Sequence, residues 1–170
     1  QTTFGMGVVN VSNGNPTAFQ ADVSYDYSKA SRFEAAVVSG NTIYAGGLIW
    51  DASIGVYKIA TFNFTTGAML SYHPTVTSPQ LSPIKTMQLA GTVLYVGGSF
   101  SAIGGTSRNN IAAIDVSSNT LTAWNPNADS TVIGLQINNG ALLACGDFNN
   151  IGGQSRNRIA ELNFSNGLAT

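Results

Sequence analysis

The sequence predicts an all-β chain of the β-propeller type, built from four-stranded antiparallel blades of about 50 residues. Three observations predict it. A phrase returns: Ile103–Asp115 reads IGGTSRNNIAAID and Ile151–Asn163 reads IGGQSRNRIAELN, an interval of 48 residues. Short segments of alternating apolar residues are separated by Gly, Asn and Ser, and no window sustains a 3.6-residue period, so essentially no helix is expected. Finally, only 9% of the residues are charged, against roughly 25% in an average soluble protein. Gly, Ser, Thr and Asn supply the polarity instead, which suits turn-rich β structure.

The units align in order. GNTIYAGG (Gly40–Gly47), GTVLYVGG (Gly91–Gly98) and GALLACGD (Gly140–Asp147) each follow an alternating segment, FEAAVVS, IKTMQLA and VIGLQIN. Downstream come YKIATFNFTTG, NNIAAIDVSSN and NRIAELNFSNG, then an aromatic segment carrying Tyr72 or Trp124. The N-terminus joins halfway through a unit, placing Asn10 with Asn63, Asp115 and Asn163, at intervals of 53, 52 and 48, and Phe19 with Tyr72 and Trp124. In the second full unit the spacing predicts strands near Ile84–Leu89, Val93–Gly97, Ile111–Val116 and Leu121–Trp124. NG, SN and TG corners between third and fourth strands are hairpin signals, because these residues tolerate positive φ. Gly46-Gly47, Gly97-Gly98 and Gly146 in the second strands predict close backbone packing or a bulge. Parallel β-coils would need a much shorter repeat, and an immunoglobulin-like sandwich has no reason to repeat at this period.

The expected division is a half blade over 1–28, blades over 29–79 and 80–129, and an incomplete blade over 130–170. That is about three and a half blades, whereas closed propellers have 4–8. A partial propeller is therefore expected, with the remaining blades supplied by the rest of a longer chain or by other subunits. Gln1 is not a natural translation start, which suits a processed chain or a segment.

Charge and composition exclude several partners. The net charge is −1 and the basic residues are scattered, so no nucleic-acid footprint exists. No apolar run approaches the ~20 residues of a membrane helix. Cys145 is the single cysteine, which rules out an intrachain disulfide or a thiolate metal cluster. It stands with Val96 and Ala45 in the alignment and reads as a small buried hydrophobe. A surface poor in Cys, Lys and Glu and rich in Asn, Thr and Ser leans towards an exported bacterial protein.

The stretch LYVGGSFSAIGGTSRNNIAAIDVSSNTLTAWNPNADSTV, Leu94–Val132, resembles the bacterial delta-60-type repeat, a kelch-like propeller repeat of large secreted and surface proteins. Residues 91–132 match its pattern nearly throughout and 140–170 match well. Residues 40–76 match at the Gly-Gly, Ile-Ala, Thr-Gly and aromatic-x-Pro positions but depart between Leu48 and Tyr57, and 5–22 match weakly. The resemblance implies an exported propeller used for adhesion, binding or scaffolding, with no shared activity.

The chemistry-bearing residues are few. His73, the one histidine, sits before a proline and reads as a turn residue; no nucleophile elbow accompanies it, and no multi-histidine metal site is available. The acidic residues Asp22, Asp26, Glu34, Asp51, Asp115, Asp129, Asp147 and Glu161 form no calcium loop. Asp115 holds a position shared with Asn10, Asn63 and Asn163, which predicts turn capping. The same three asparagines begin N-x-S/T sequences, acceptors for glycans in a eukaryotic secretory protein; turn chemistry explains them without glycans. Arg108 and Arg156 recur after GGTS and GGQS. Either they contact an anion or a carbohydrate, or each ties its loop to backbone carbonyls; recurrence favours the second. Recurrence likewise assigns Tyr72, Trp124 and Phe19 to packing between blades. Trp50 and Asp51 break the repeat, and an aromatic beside a carboxylate suits a sugar or peptide contact as well as a local packing change.

The expected function is a non-enzymatic scaffold of a secreted or cell-surface protein, presenting loops for protein or glycan contact. Trp50, Asp51, Arg108 and Arg156 are its candidate contacts, and no catalytic residue, metal or cofactor is expected. A lectin-like carbohydrate-binding module is one alternative. A propeller hydrolase or lyase with acidic residues at the central mouth is another.

Overall fold

In the computed structural model, residues 7–9, 11–20, 31–51 and 55–170 are described. They form antiparallel sheets joined by turns, with no helix among them. Asn10, Asp22 and Asp26 lie outside the described residues, as do the side chains of Phe19 and Asp51.

An N-terminal hairpin pairs β1 (Gly7–Val9) with β2 (Pro16–Gln20). The first full sheet contains β3 (Arg32–Ser39), β4 (Thr42–Asp51) and β5 (Gly55–Asn63), in that spatial order. A short β6 (Val76–Thr77) follows. The second sheet is built from β7 (Ile84–Ala90), β8 (Val93–Gly98), β11 (Ile111–Asp115) and β12 (Thr120–Leu121), again in chain order across the sheet. Between β8 and β11 the chain makes a small ribbon, β9 (Ala102–Ile103) with β10 (Thr106–Ser107), and β6 pairs with its edge. The third sheet repeats the plan: β13 (Val132–Asn138), β14 (Ala141–Gly146) and β17 (Ile159–Asn163), with the ribbon β15 (Asn150–Ile151) and β16 (Gln154–Ser155) between the last two.

The fourth strand is shorter than its sequence suggests. Leu121–Trp124 was the expected span, yet β12 covers Thr120–Leu121. In the first and third sheets the fourth strand shrinks to the single bridges Phe62↔Met69 and Leu162↔Ala169. Thr122 still bonds across, its N–H (2.9 Å) and its hydroxyl (3.0 Å) both reaching the Ala113 carbonyl, before the chain leaves the sheet. Trp124 then leaves the sheet edge and enters the core.

Each first strand carries a bulge at the same place, between Phe33 and Ala35, Ile84 and Thr86, and Val132 and Gly134. The extra residues, Glu34, Lys85 and Ile133, are the ones the ladder skips. This register also corrects the alignment of the second strands. Ala35 pairs with Gly46, Thr86 with Gly97, and Gly134 with Cys145. Cys145 therefore stands with Gly46 and Gly97, not with Ala45 and Val96, and Gly146 stands with Gly47 and Gly98. The slip of one residue arises at the preceding turn, where Asn139 (φ 45°) takes the left-handed place of Gly91 (φ 58°). At Gly47, Gly98 and Gly146 a Cβ would collide with the carbonyl of Arg32, Pro83 or Thr131, at or just before the start of the first strand, so this position is glycine in all three sheets. Cys145 is exposed, which overturns the expectation of a buried thiol.

The core lies between successive sheets. One cluster joins the N-terminal hairpin, through Val8, to Ile43, Ala45, Ala60 and Phe62 of the first sheet. A second joins Tyr44 and Ile59 to Ile84, Met87, Leu94 and Val96. A third joins Tyr95, Ile111 and Ala113 to Val132, Leu135, Leu142 and Ala144. Alternate residues of a strand thus face opposite neighbours, as a period-two chain buried on both sides requires.

Candidate functional site

The repeated arginines act on their own loops. Arg108 donates from Nη1 to Ser107 O (2.8 Å) and from Nη2 to Thr122 O (2.6 Å). Arg156 makes the same fork to Ser155 O (3.1 Å) and Thr170 O (3.0 Å). Each guanidinium therefore ties the ribbon that follows the second strand to the segment leaving the fourth, and a planar fork with several donors suits two carbonyls at once. Asn110, two residues on, holds Phe100 N through Oδ1 (3.2 Å) and reaches Ala128 O through Nδ2 (2.8 Å).

The turn residues are equally engaged. Asn63 Oδ1 accepts from Thr65 N and Thr66 N, both at 2.9 Å; Asp115 Oδ1 accepts from Ser117 N and its hydroxyl; Asn163 Oδ1 accepts from Ser165 N and its hydroxyl. The hydroxyl of Ser117, followed by its backbone N–H, holds the Asp115 carboxyl below its ordinary value.

Two aromatic pairs sit between sheets. Tyr44 meets Tyr72 edge-on with centroids 6.5 Å apart, and Tyr95 meets Trp124 edge-on at 5.0 Å. Tyr95 also contacts Phe164, in the turn after β17, and the Tyr44 hydroxyl lies 3.4 Å from Val116 O, in the turn after β11. Burial raises all three tyrosine hydroxyls, Tyr72 up to about 12 with Tyr44 as a second cause.

The segment around Trp50 departs from the repeat because β4 and β5 run on as a long hairpin where the later sheets place a ribbon. Ile49 pairs with Tyr57, Trp50 with Val56 and Asp51 with Gly55. Trp50 N donates to Ser31 Oγ (2.9 Å), and the indole is half-buried. Further along the hairpin, Tyr57 packs on His73 with ring centroids 4.3 Å apart, and Lys58 donates to Ser78 O (3.2 Å). Trp50 and the Asp51 backbone are thus on one hairpin, while Arg108 and Arg156 are on separate loops of the second and third sheets.

Among the described acidic side chains, Glu34 contacts Arg32, lies 3.9 Å from Lys85 and accepts from Ser82 Oγ (3.2 Å). Asp147 lies 3.7 Å from Arg158, and Glu161 accepts from Thr170 Oγ1 (2.8 Å). Asp129 accepts from Asn150 Nδ2 (2.8 Å) and Asn149 N (2.9 Å), and the Asn150 amide first, then backbone N–H groups, lowers its carboxyl. No cluster of His, Cys, Asp and Glu able to hold a metal occurs among the described residues.

A feature that sequence reasoning missed is a polar hollow of about 460 Å³ between the connector after Trp124 and the third-sheet ribbon. Asn125, Asn127, Asn150, Gln154 and Ser155 line it over a floor that includes Pro126 and Gly152. Gly152 N donates to Pro126 O at 2.7 Å and fixes the two walls. The concentration of asparagines around Pro126 was the available signal; the pairing of two units that closes the hollow was not visible in either one.

No family model matches the chain, and no curated protein matches it. Among solved structures it is similar to the computationally designed Ika8 protein, at 12% identity and a TM-score of 0.58, with 96% of this chain covering 41% of that one. It is also similar to the computationally designed Ika4 protein, at 12% identity and a TM-score of 0.55, with 91% of this chain covering 76% of that one. The chain thus spans about two fifths of the Ika8 length, and at this identity the likeness concerns the fold alone.

Proposed function

We propose that the three sheets are blades of a partial β-propeller, and that the protein is a non-enzymatic scaffold of a secreted or cell-surface protein. The observation that carries this reading is the use to which the recurring side chains are put. Arg108 and Arg156, Asn63, Asp115 and Asn163, and the Tyr44–Tyr72 and Tyr95–Trp124 pairs hold turns, loops and neighbouring sheets in equivalent ways. Such side chains give each unit the same rigid corner and leave the segment around Trp50 and Asp51, which breaks the repeat, and the hollow beside Asn125–Asn127 to meet a partner. The similarity to delta-60-type repeats supports the exported setting. Electron microscopy of the parent polypeptide tests the architecture: sheets radiating about an axis are expected, and a stack of sheets with no axis would refute it.

The polar hollow favours a second reading, a lectin-like module. Uncharged amides and hydroxyls over a partly apolar floor suit sugar hydroxyls and C–H faces. A glycan array decides between the two. Binding lost in Asn125→Ala or Trp50→Ala establishes the lectin and locates its site, while silence across glycans leaves the protein-binding scaffold. Hydrolysis of polysaccharide or peptide substrates, abolished by Glu34→Gln, would overturn both.

A further inference from the structure

We propose that the outward face of the third sheet is the seat of a fourth sheet of the same repeat, joined in sequence to the third as the second and third are joined to their predecessors. This rests on the blade reading above and adds the chemistry of the contact. Ile59, Ile111 and Ile159 pair with Gly46, Gly97 and Cys145 and so occupy one position in three sheets. The first two are 0% exposed because the next sheet lies on them; Ile159 is 63% exposed. Around it, Gly134, Leu143 and Cys145 line an apolar hollow of about 180 Å³. A second copy of the chain could not seat its first sheet there, because the complementary face of that sheet is already covered by the β1–β2 hairpin through Val8.

The seat differs from the earlier two in one respect. Ile84 and Val132, which open the second and third sheets, rest on glycine: a Cβ at Gly46 would lie 2.9 Å from Ile84 Cβ, and one at Gly97 would lie 2.8 Å from Val132 Cγ1. The third sheet puts a side chain there. The cross-strand pair Thr86–Gly97 becomes Gly134–Cys145, with the bulk moved from the first strand to the second, and a Cβ at Gly134 would lie 2.7 Å from Cys145 Sγ. The fourth sheet therefore opens with a small residue, Gly, Ala or Ser, where its predecessors carry Ile84 and Val132.

Thiol reactivity of Cys145 reads the contact directly. Leu70 N donates to Thr61 O and Thr170 N to Glu161 O, so the two residues are equivalent, and a second copy of residues 71–122 placed after Thr170 continues the register. The 170-residue chain is compared with two extended chains, one keeping Ile84 in the added copy and one carrying Ile84→Ala there. Cys145 should react as an exposed thiol in the unextended monomer and at least about tenfold more slowly in the Ala extension. The Ile extension should protect it less. Equal reactivity in all three chains overturns the proposal, and equal protection by Ile and Ala overturns its small-residue clause. Protection in the unextended chain with a doubled mass overturns it in favour of a second copy. Failure of the unextended chain to unfold cooperatively would strike instead at the blade reading.

Discussion

The indole N–H of Trp124 donates to the Asn163 carbonyl at 3.0 Å, bridging 39 residues of sequence and two sheets. The same Asn163 fixes its own turn through its side chain, so the indole grips a carbonyl whose position is already set. Trp124 is buried among Tyr95, Val132 and Leu162. Trp124→Phe should keep most of the packing and lose the bond, at about 1 kcal/mol. Trp124→Ala should cost about 3–5 kcal/mol. Urea unfolding checks both; equal losses would mean that the hydrogen bond, not the ring, dominates the site.

Gly46 tests the contact between the first and second sheets. Its missing side chain makes room for Ile84 and for the Met87 Cε, which a Cβ would meet at 2.7 Å. Gly46→Ala should therefore destabilise by about 1–3 kcal/mol through overpacking. In an Ile84→Ala background the same change should cost less, because Cγ2, the Ile84 atom that a Cβ would meet first, is gone. A double mutant no more stable than the sum of its single changes would show that the two residues do not share the space.

Arg108 should not tolerate the conservative change. Lys offers one ammonium where two carbonyls are served by a fork, so Arg108→Lys should lose about 1 kcal/mol. The loss should appear with increased hydrogen exchange at Thr106 and Ser107 in the adjoining ribbon. Unchanged exchange there would separate the guanidinium from the order of its loop.

The sequence displayed what is local and repeated. The Asx turns at Asn63, Asp115 and Asn163 follow from residue type and the two residues after it, and alternation marked the strands of all three sheets. It hid what depends on another strand. The bulges at Glu34, Lys85 and Ile133 exist only relative to a partner ladder, and without them the second strand of the third unit slid by one residue, carrying Cys145 into an apparently buried place. The four-residue fourth strand failed for a related reason: Trp124 gains more from entering the neighbouring sheet than from extending its own. The hollow beside Pro126 needs two units at once and left only a cluster of asparagines to be read.

Stability should fall at both ends of the pH scale, for different residues. The Tyr72 hydroxyl is pushed up to about 12, first by burial and then by Tyr44, whereas in the unfolded chain it ionises near 10. Between about 10 and 12 the unfolded state therefore holds fewer protons than the folded one, so stability declines as pH rises through that window and levels off above it. At the acid end the signs reverse. Asp115 and Asp129 have folded values below the ordinary 3.8, so their contribution is present above that pH and disappears as pH falls through the lowered values. Tyr72→Phe should flatten the alkaline limb of a plot of Tm against pH and leave the acid limb alone. Asp115→Asn should remove that residue's share of the acid limb while keeping the turn, because Asn63 and Asn163 already perform the same capping with an amide. An alkaline limb unchanged by Tyr72→Phe would take the effect away from Tyr72 and assign it to the other raised hydroxyls, Tyr44 and Tyr95.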